Sequence, residues 1–205
     1  IKGTALYTSD FTVPTEPLTA VSGTKLLTLQ DATIQDNSAS SHSITNNGAT
    51  ITEIAPFGAE LIDRAGSMFF DGSGDYLATS TSSDFDNSSG AWTAEVWVYR
   101  NSNTNTNPHI IRFGSSQTNR SGIFRRGTTN QVEFFQINNG SSNHLVSSVD
   151  LELNQWIHLA VCSDGTTTRL FKNGVQIASG ASNVGSSNEI AIGYEPFYSS
   201  SGDYF

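Results

Sequence analysis

No stretch of this chain keeps a helical period of apolar residues over three turns. Short β-type runs bounded by Gly, Asn and Ser recur instead. The best helical candidate, Gly58–Gly66, offers one or two turns between glycines. The β-type runs include His42–Asn46, Ala49–Ile54, Ser67–Phe70, Tyr76–Ser80, Trp92–Arg100, His109–Phe113, Gln131–Ile137, His144–Val149, Trp156–Ser163, Thr168–Phe171 and Val175–Ser179. Turn signals fall roughly 8–12 residues apart, the spacing of an all-β sandwich or barrel. Only 36% of the chain is hydrophobic, but disorder normally combines low hydrophobicity with high charge and few aromatics. Here 14% is charged and 10% aromatic, which fits an ordered, turn-rich β protein.

Two segments predict tight hairpins, because Asn-Gly supplies the positive φ angles of a type I′ turn. They are Asn46-Asn47-Gly48 and Lys172-Asn173-Gly174-Val175. In Trp92–Tyr99, one face carries Trp92, Ala94, Val96 and Val98, and the other Thr93, Glu95, Trp97 and Tyr99. In Trp156–Cys162, Ile157, Leu159 and Val161 oppose Trp156, His158, Ala160 and Cys162. Neither run alternates cleanly between apolar and polar, so both are expected to be central strands covered on both faces. All three tryptophans are then expected in or beside the core. Pro14 and Pro17 keep Thr8–Pro17 out of any central strand and make it a linker or an extended arm.

The net charge is −9. Nucleic acids and anionic membranes need Lys/Arg patches, so neither is an expected partner. No apolar run approaches the roughly 18 residues of a membrane span. A single cysteine, Cys162, excludes an internal disulfide framework and a cysteine-based zinc cluster.

Phe69-Phe70-Asp71-Gly72-Ser73-Gly74-Asp75-Tyr76-Leu77 resembles the F-D-G-x-x-D-Y-L segment of laminin-G-like, concanavalin A-like domains. Trp92–Tyr99, Trp156–Val161 and Leu170–Val175 resemble their W-T-x-E-x-W-V-Y strand, W-x-H-x-A strand and L-Y-x-N-G hairpin, in the same order. The resemblance spans residues 67–193. It implies an all-β, antiparallel, two-sheet jelly-roll sandwich. Lys2–Pro14 is similar to the tail that follows the last strand of such a domain. The resemblance therefore divides the chain into residues 1–55, the end of a preceding unit plus a β-hairpin segment, and residues 56–205, a sandwich lacking its closing strand. Tandem copies of this kind occur in bacteriophage structural proteins, tail fibres among them.

Glycosidases of this fold carry two carboxylates on one strand, as E-x-D-x-x-E, for acid and base or nucleophile. Here Glu95 stands alone between Ala94 and Val96, and Asp150 and Glu152 fall in a turn-like stretch. Such carboxylates read as solvated or hydrogen-bonded groups, and no enzyme is expected. No serine sits in a G-x-S-x-G elbow, and His42, His109, His144 and His158 have no metal spacing. His158 reads as a satisfied core histidine. Asp71-Gly72-Ser73-Gly74-Asp75 has a calcium-loop rhythm, which makes Asp71 and Asp75 the candidate metal ligands. The competing reading is an Asx-type turn. No cofactor is expected from the residues, and calcium is the one that the resemblance leaves open. Tyr194, Phe197 and Tyr198 cluster in a Ser/Gly-rich loop and are the candidate ligand-binding residues. Their rings suit either a sugar or packing against a neighbour.

The function expected from all this is a structural and binding module of a virus particle, a tail-fibre or capsid-surface component. Its partners would be other virion proteins or copies of itself in a homo-oligomer, and host-surface glycans. The expected location is the virion surface or the extracellular space. The rivals are a secreted or cell-surface adhesin and a glycan depolymerase.

Overall fold

The structure is a computed structural model, and it describes residues 1–29, 33–57, 66–102, 107–197 and 203–205. Residues 58–65 of the helical candidate lie outside the described residues. In chain order the strands are β1 (Ile44–Asn47), β2 (Thr50–Thr52), β3 (Ser67–Phe69), β4 (Tyr76–Thr79), β5 (Trp92–Tyr99), β6 (His109–Phe113), β7 (Arg120–Arg125) and β8 (Gln131–Asn138). They continue with β9 (Ser141–Ser142), β10 (Leu145–Asp150), β11 (Trp156–Ser163), β12 (Thr167–Lys172), β13 (Val175–Ala181), β14 (Ile190–Ile192), β15 (Tyr194–Glu195) and β16 (Asp203–Tyr204). Pairing is antiparallel throughout. The larger sheet runs β1-β4-β14-β6-β7-β8-β10, with β9 paired to β8, and the smaller runs β13-β12-β11-β5. The chain is the expected all-β sandwich. Among the described residues no helix is long and apolar enough to cross a membrane.

The main core lies between the two sheets. Strand β11 pairs with β5 from Trp156↔Tyr99 to Ser163↔Trp92. One face of that pair turns Trp92, Val98, Ile157, Leu159 and Val161 onto Ile110, Ile123 and Phe134 of the larger sheet. Each such side chain removed from water contributes about 1.5–3 kcal/mol. The other face carries Ala160 and Cys162, with Phe171 of β12, beneath the N-terminal arm. Ala5, Tyr7 and Phe11 of that arm pack on them, and the Tyr7 and Phe11 rings stack at 3.5 Å. So β11 is central and covered on both faces, as its sequence implied. Strand β5 is a sheet edge instead. Ile1–Gly3 bond only its first residues, through Ile1 N to Thr93 O at 2.8 Å and Gly3 N to Ala91 O at 2.7 Å. The tryptophans divide likewise: Trp92 is buried in the core, whereas Trp97 and Trp156 point to the outer face and are half-buried.

The two Asn-Gly sequences behave differently. Asn173 and Gly174 have φ of 49° and 79°, and β12 turns directly into β13. Gly174 is required there, because a Cβ would sit 2.0 Å from the Phe11 carbonyl oxygen. At Gly48, φ is also positive, but β1 pairs with β4 and β2 with β3. The expected hairpin is a corner instead. The segments 44–52 and 67–79 pair twice, and the Asp71–Asp75 loop bulges out opposite the corner.

The four-stranded sheet covers only part of the larger one. Next to β5, Leu26 packs on Phe85, Phe113 and Ile190. Its segment is held by Asp36, which accepts the N–H groups of Leu27, Ser38 and His42 at 2.8–3.0 Å and the Ser38 hydroxyl at 2.9 Å. Burial alone raises the Asp36 pKa, but these hydrogen bonds together hold it below the ordinary carboxylate value. A depressed folded-state pKa stabilises above the unfolded value, roughly pH 4, and that contribution is lost as pH falls through the folded one. Urea unfolding between pH 6 and pH 2.5 is therefore expected to show stability falling below about pH 4. Asp36→Ala should be less stable at pH 6 and should flatten that decline. An equally steep decline in the variant would rule out Asp36 as a source.

Candidate functional site

The described residues form a large cleft of about 680 Å³ that wraps the free edge of β5. That volume lies in the range of small-molecule sites. Its inner wall is apolar, with Ala94, Val96, Ile110, Ile111 and Ile192. Its outer wall is aromatic: Trp97, Tyr99 and Trp156, joined by Phe57, whose ring meets Trp97 edge-on at 5.4 Å. The antiparallel register sets Tyr99 beside Trp156, with ring centroids 5.5 Å apart, and both residues are half-buried. Exposed Asn101 also lines the cleft.

Glu95 reaches the cleft but is engaged. It accepts the Tyr7 hydroxyl at 2.8 Å and lies 3.1 Å from Nε2 of fully buried His158. Burial, and behind it the Glu95 charge, pushes the Tyr7 phenol far up, so it stays protonated. His158 also stacks edge-on against Trp97 and Phe11.

The aromatic loop expected to bind ligand crosses the far face of the larger sheet. Tyr194 stacks with both Tyr76 and Tyr204, 4.8 Å from each, so two other tyrosines already pack on its ring. Phe197 lies under the Arg120 guanidinium at 5.1 Å. Tyr198 lies outside the described residues. Between them, buried Glu195 sits 3.9 Å from Arg112 and 3.6 Å from Arg120, and Arg112 also pairs with Glu189 at 2.8 Å. Burial, with Arg120 and Arg112 nearby, pushes His109 down to about 3, so its imidazole is neutral.

The Asp71–Asp75 loop serves its own backbone. Asp71 accepts the Ser73 N–H at 2.7 Å, and Asp75 accepts the Asp71 N–H at 3.0 Å. Asp75 also fills the space beside Gly48, where a Cβ would lie 2.0 Å from its Oδ1. Among the described residues no three His, Cys, Asp or Glu side chains converge as metal ligands.

The Tyr99–Trp156 shelf was not among the candidate sites expected from the sequence. Its signal was the second face of each long run, aromatic where a solvated face would be polar.

The profile of the concanavalin A-like lectin/glucanases superfamily, Laminin_G_3, matches residues 71–205. The chain belongs to this superfamily. No curated protein matches it. Similar solved structures include domain 4 of AbnA, an extracellular arabinanase from Geobacillus stearothermophilus, in complex with arabinotriose. Its TM-score is 0.59 at 13% identity, over 80% of this chain and 78% of that one. The binding domain of botulinum neurotoxin DC in complex with SialylT has a TM-score of 0.58 at 14% identity, over 84% of this chain. This chain spans 41% of that protein's length. The enzymatically active domain of tailspike protein 2 from bacteriophage CBA120 has a TM-score of 0.56 at 10% identity, over 80% of this chain and 27% of that one. At these identities the likeness is one of fold.

Proposed function

We propose that this chain is a non-enzymatic carbohydrate-binding module on the outside of a virus particle, a tail-fibre or capsid-surface component. It holds neutral glycans on the Tyr99–Trp156 shelf and works in assemblies that contain copies of itself. The observation that carries the reading is the half-buried Tyr99–Trp156 ring pair that lines the 680 Å³ cleft together with exposed Asn101. A pyranose presents an apolar C–H face to such rings and leaves its hydroxyls for amide groups.

Support for a non-catalytic role comes from carboxylates that already have partners. Glu95 is held by Tyr7 and His158, Glu133 by Arg126 and His144, and Glu189 by Arg112. Glycoside hydrolysis needs one carboxyl free to protonate the leaving group and a second facing it. The particle context draws support from the resemblance to tandem bacteriophage modules and from the sandwich shared with a phage tailspike. Weak single-site glycan contacts gain avidity by repetition.

The test is a neutral-glycan array followed by calorimetric titration of the best oligosaccharide. Tyr99→Ala and Trp156→Ala are each expected to weaken binding about tenfold or more, roughly 1.4 kcal/mol. Binding unchanged in both variants would sink the shelf. Release of reducing ends from polysaccharide would overturn the non-enzymatic reading. Absence of the parent protein from purified particles by mass spectrometry would overturn the particle.

A further inference from the structure

We infer that the free edge of β5 is a docking site for an extended peptide strand with apolar residues at alternate positions and no acidic residue. The first observation is the mismatch of the sheets. Seven strands lie side by side in one and four in the other, and the cleft opens beside β5, where a fifth strand of the smaller sheet would lie.

The second is the backbone. Thr93 exchanges both of its hydrogen bonds with Ile1, on the side away from β11. In an antiparallel pair this direction repeats every second residue. Glu95, Trp97 and Tyr99 therefore point their N–H and C=O groups into the cleft, and among the described residues these groups have no backbone partner. Another extended backbone matches a row of donors and acceptors repeating at about 6.8 Å; a sugar does not.

The third is the chemistry of the walls. Ala94 and Val96 face inward yet are only half-buried. Around the cleft, Leu6, Val21, Ile54 and Phe69 are 40–53% exposed. A strand about 4.8 Å from β5 would cover this surface with every second side chain. The pairing already made by Ile1–Gly3 sets the direction: the guest runs antiparallel to β5, as that segment does. Charge sets its composition. The chain carries −9, and the cleft is lined by four carboxylates, Glu16, Asp84, Asp86 and Glu95, against two lysines, Lys2 and Lys25. A neutral or basic strand is drawn in and an acidic one repelled.

The test uses the whole chain, isotopically labelled, and a synthetic peptide of alternating Thr and Val flanked by Lys. Amide hydrogen exchange is read by NMR. In the chain alone, the amides of Glu95, Trp97 and Tyr99 are expected to exchange fast, and those of Val96 and Val98, bonded to β11, slowly. With the peptide, the first three should slow at least tenfold. A peptide with Glu in place of Thr, or N-methylated at alternate residues, should leave them fast. The inference is overturned if the Thr/Val peptide leaves the three amides unchanged or if the control peptides protect them equally. It is also overturned if the chain dimerises without peptide and protects them, which would assign the edge to a second copy. Failure here is separable from failure of the glycan reading, because Trp156→Ala, which lies on β11 and outside the row of edge groups, should lose sugar and keep peptide protection.

Discussion

Trp92→Ala is expected to lower the unfolding free energy by about 3–5 kcal/mol, the usual cost of removing a large buried aromatic. Trp92 is 3% exposed, and its ring packs 6.0 Å from both Phe113 and Phe134. The substitution removes the side chain that joins the first residue of β5 to the larger sheet. The region cannot collapse easily, because the cleft already leaves Ala94 and Val96 without a full set of neighbours. Urea unfolding followed by circular dichroism measures the loss. A midpoint within experimental scatter of the parent would show that Trp92 does not anchor the core. Trp156→Ala, by contrast, removes the ring of a half-buried residue and should cost clearly less.

The second large effect is expected at Glu95. Glu95→Ala removes the shared acceptor of the Tyr7 hydroxyl, on the N-terminal arm, and of the His158 imidazole beneath that arm. An orphaned buried donor costs about 1–3 kcal/mol, so the pair amounts to roughly 2–6 kcal/mol. Glu95→Gln keeps a carbonyl acceptor and should lose less. Tyr7→Phe removes one of the same donors, so combining it with Glu95→Ala should cost less than the sum of the single changes. Additive losses would mean that the two groups do not act together. Limited proteolysis gives a second reading: residues 1–11 should be cut faster in Glu95→Ala than in the parent.

The parts of the fold legible in the sequence are those decided locally. The run Trp156–Ser163 has the bounds of β11, because turn residues close it on both sides. Asn173-Gly174 makes its hairpin because the two strands that it joins are each other's best partners. Asn46-Asn47-Gly48 has the same turn chemistry, but distant segments decide its pairing: Tyr76–Thr79 takes β1 and Ser67–Phe69 takes β2. The tryptophans show a related limit. A period of two separates the faces of β5 and β11, but both faces are apolar enough to be the core, so pattern alone does not say which one is. The shelf was hidden because Tyr99 and Trp156 become neighbours only through the register of strands far apart in the chain. At Tyr194 the aromatic signal was visible, but not that Tyr76 and Tyr204 stack on the ring.

The arm over β11 also makes a clock of the chain's only thiol. Cys162 is fully buried beneath Ala5, Tyr7 and Phe11, and burial pushes its pKa up, so the docked state hides and quiets the sulfur. A thiol reagent gains access when the arm lifts. The arm is held by the Phe11–Gly174 and Ile1–Thr93 hydrogen bonds and by the Tyr7–Glu95 contact. The labelling rate under native conditions therefore measures the free energy of that local opening, separately from global unfolding. The unmodified sequence thus carries its own probe of how firmly its first eleven residues are seated.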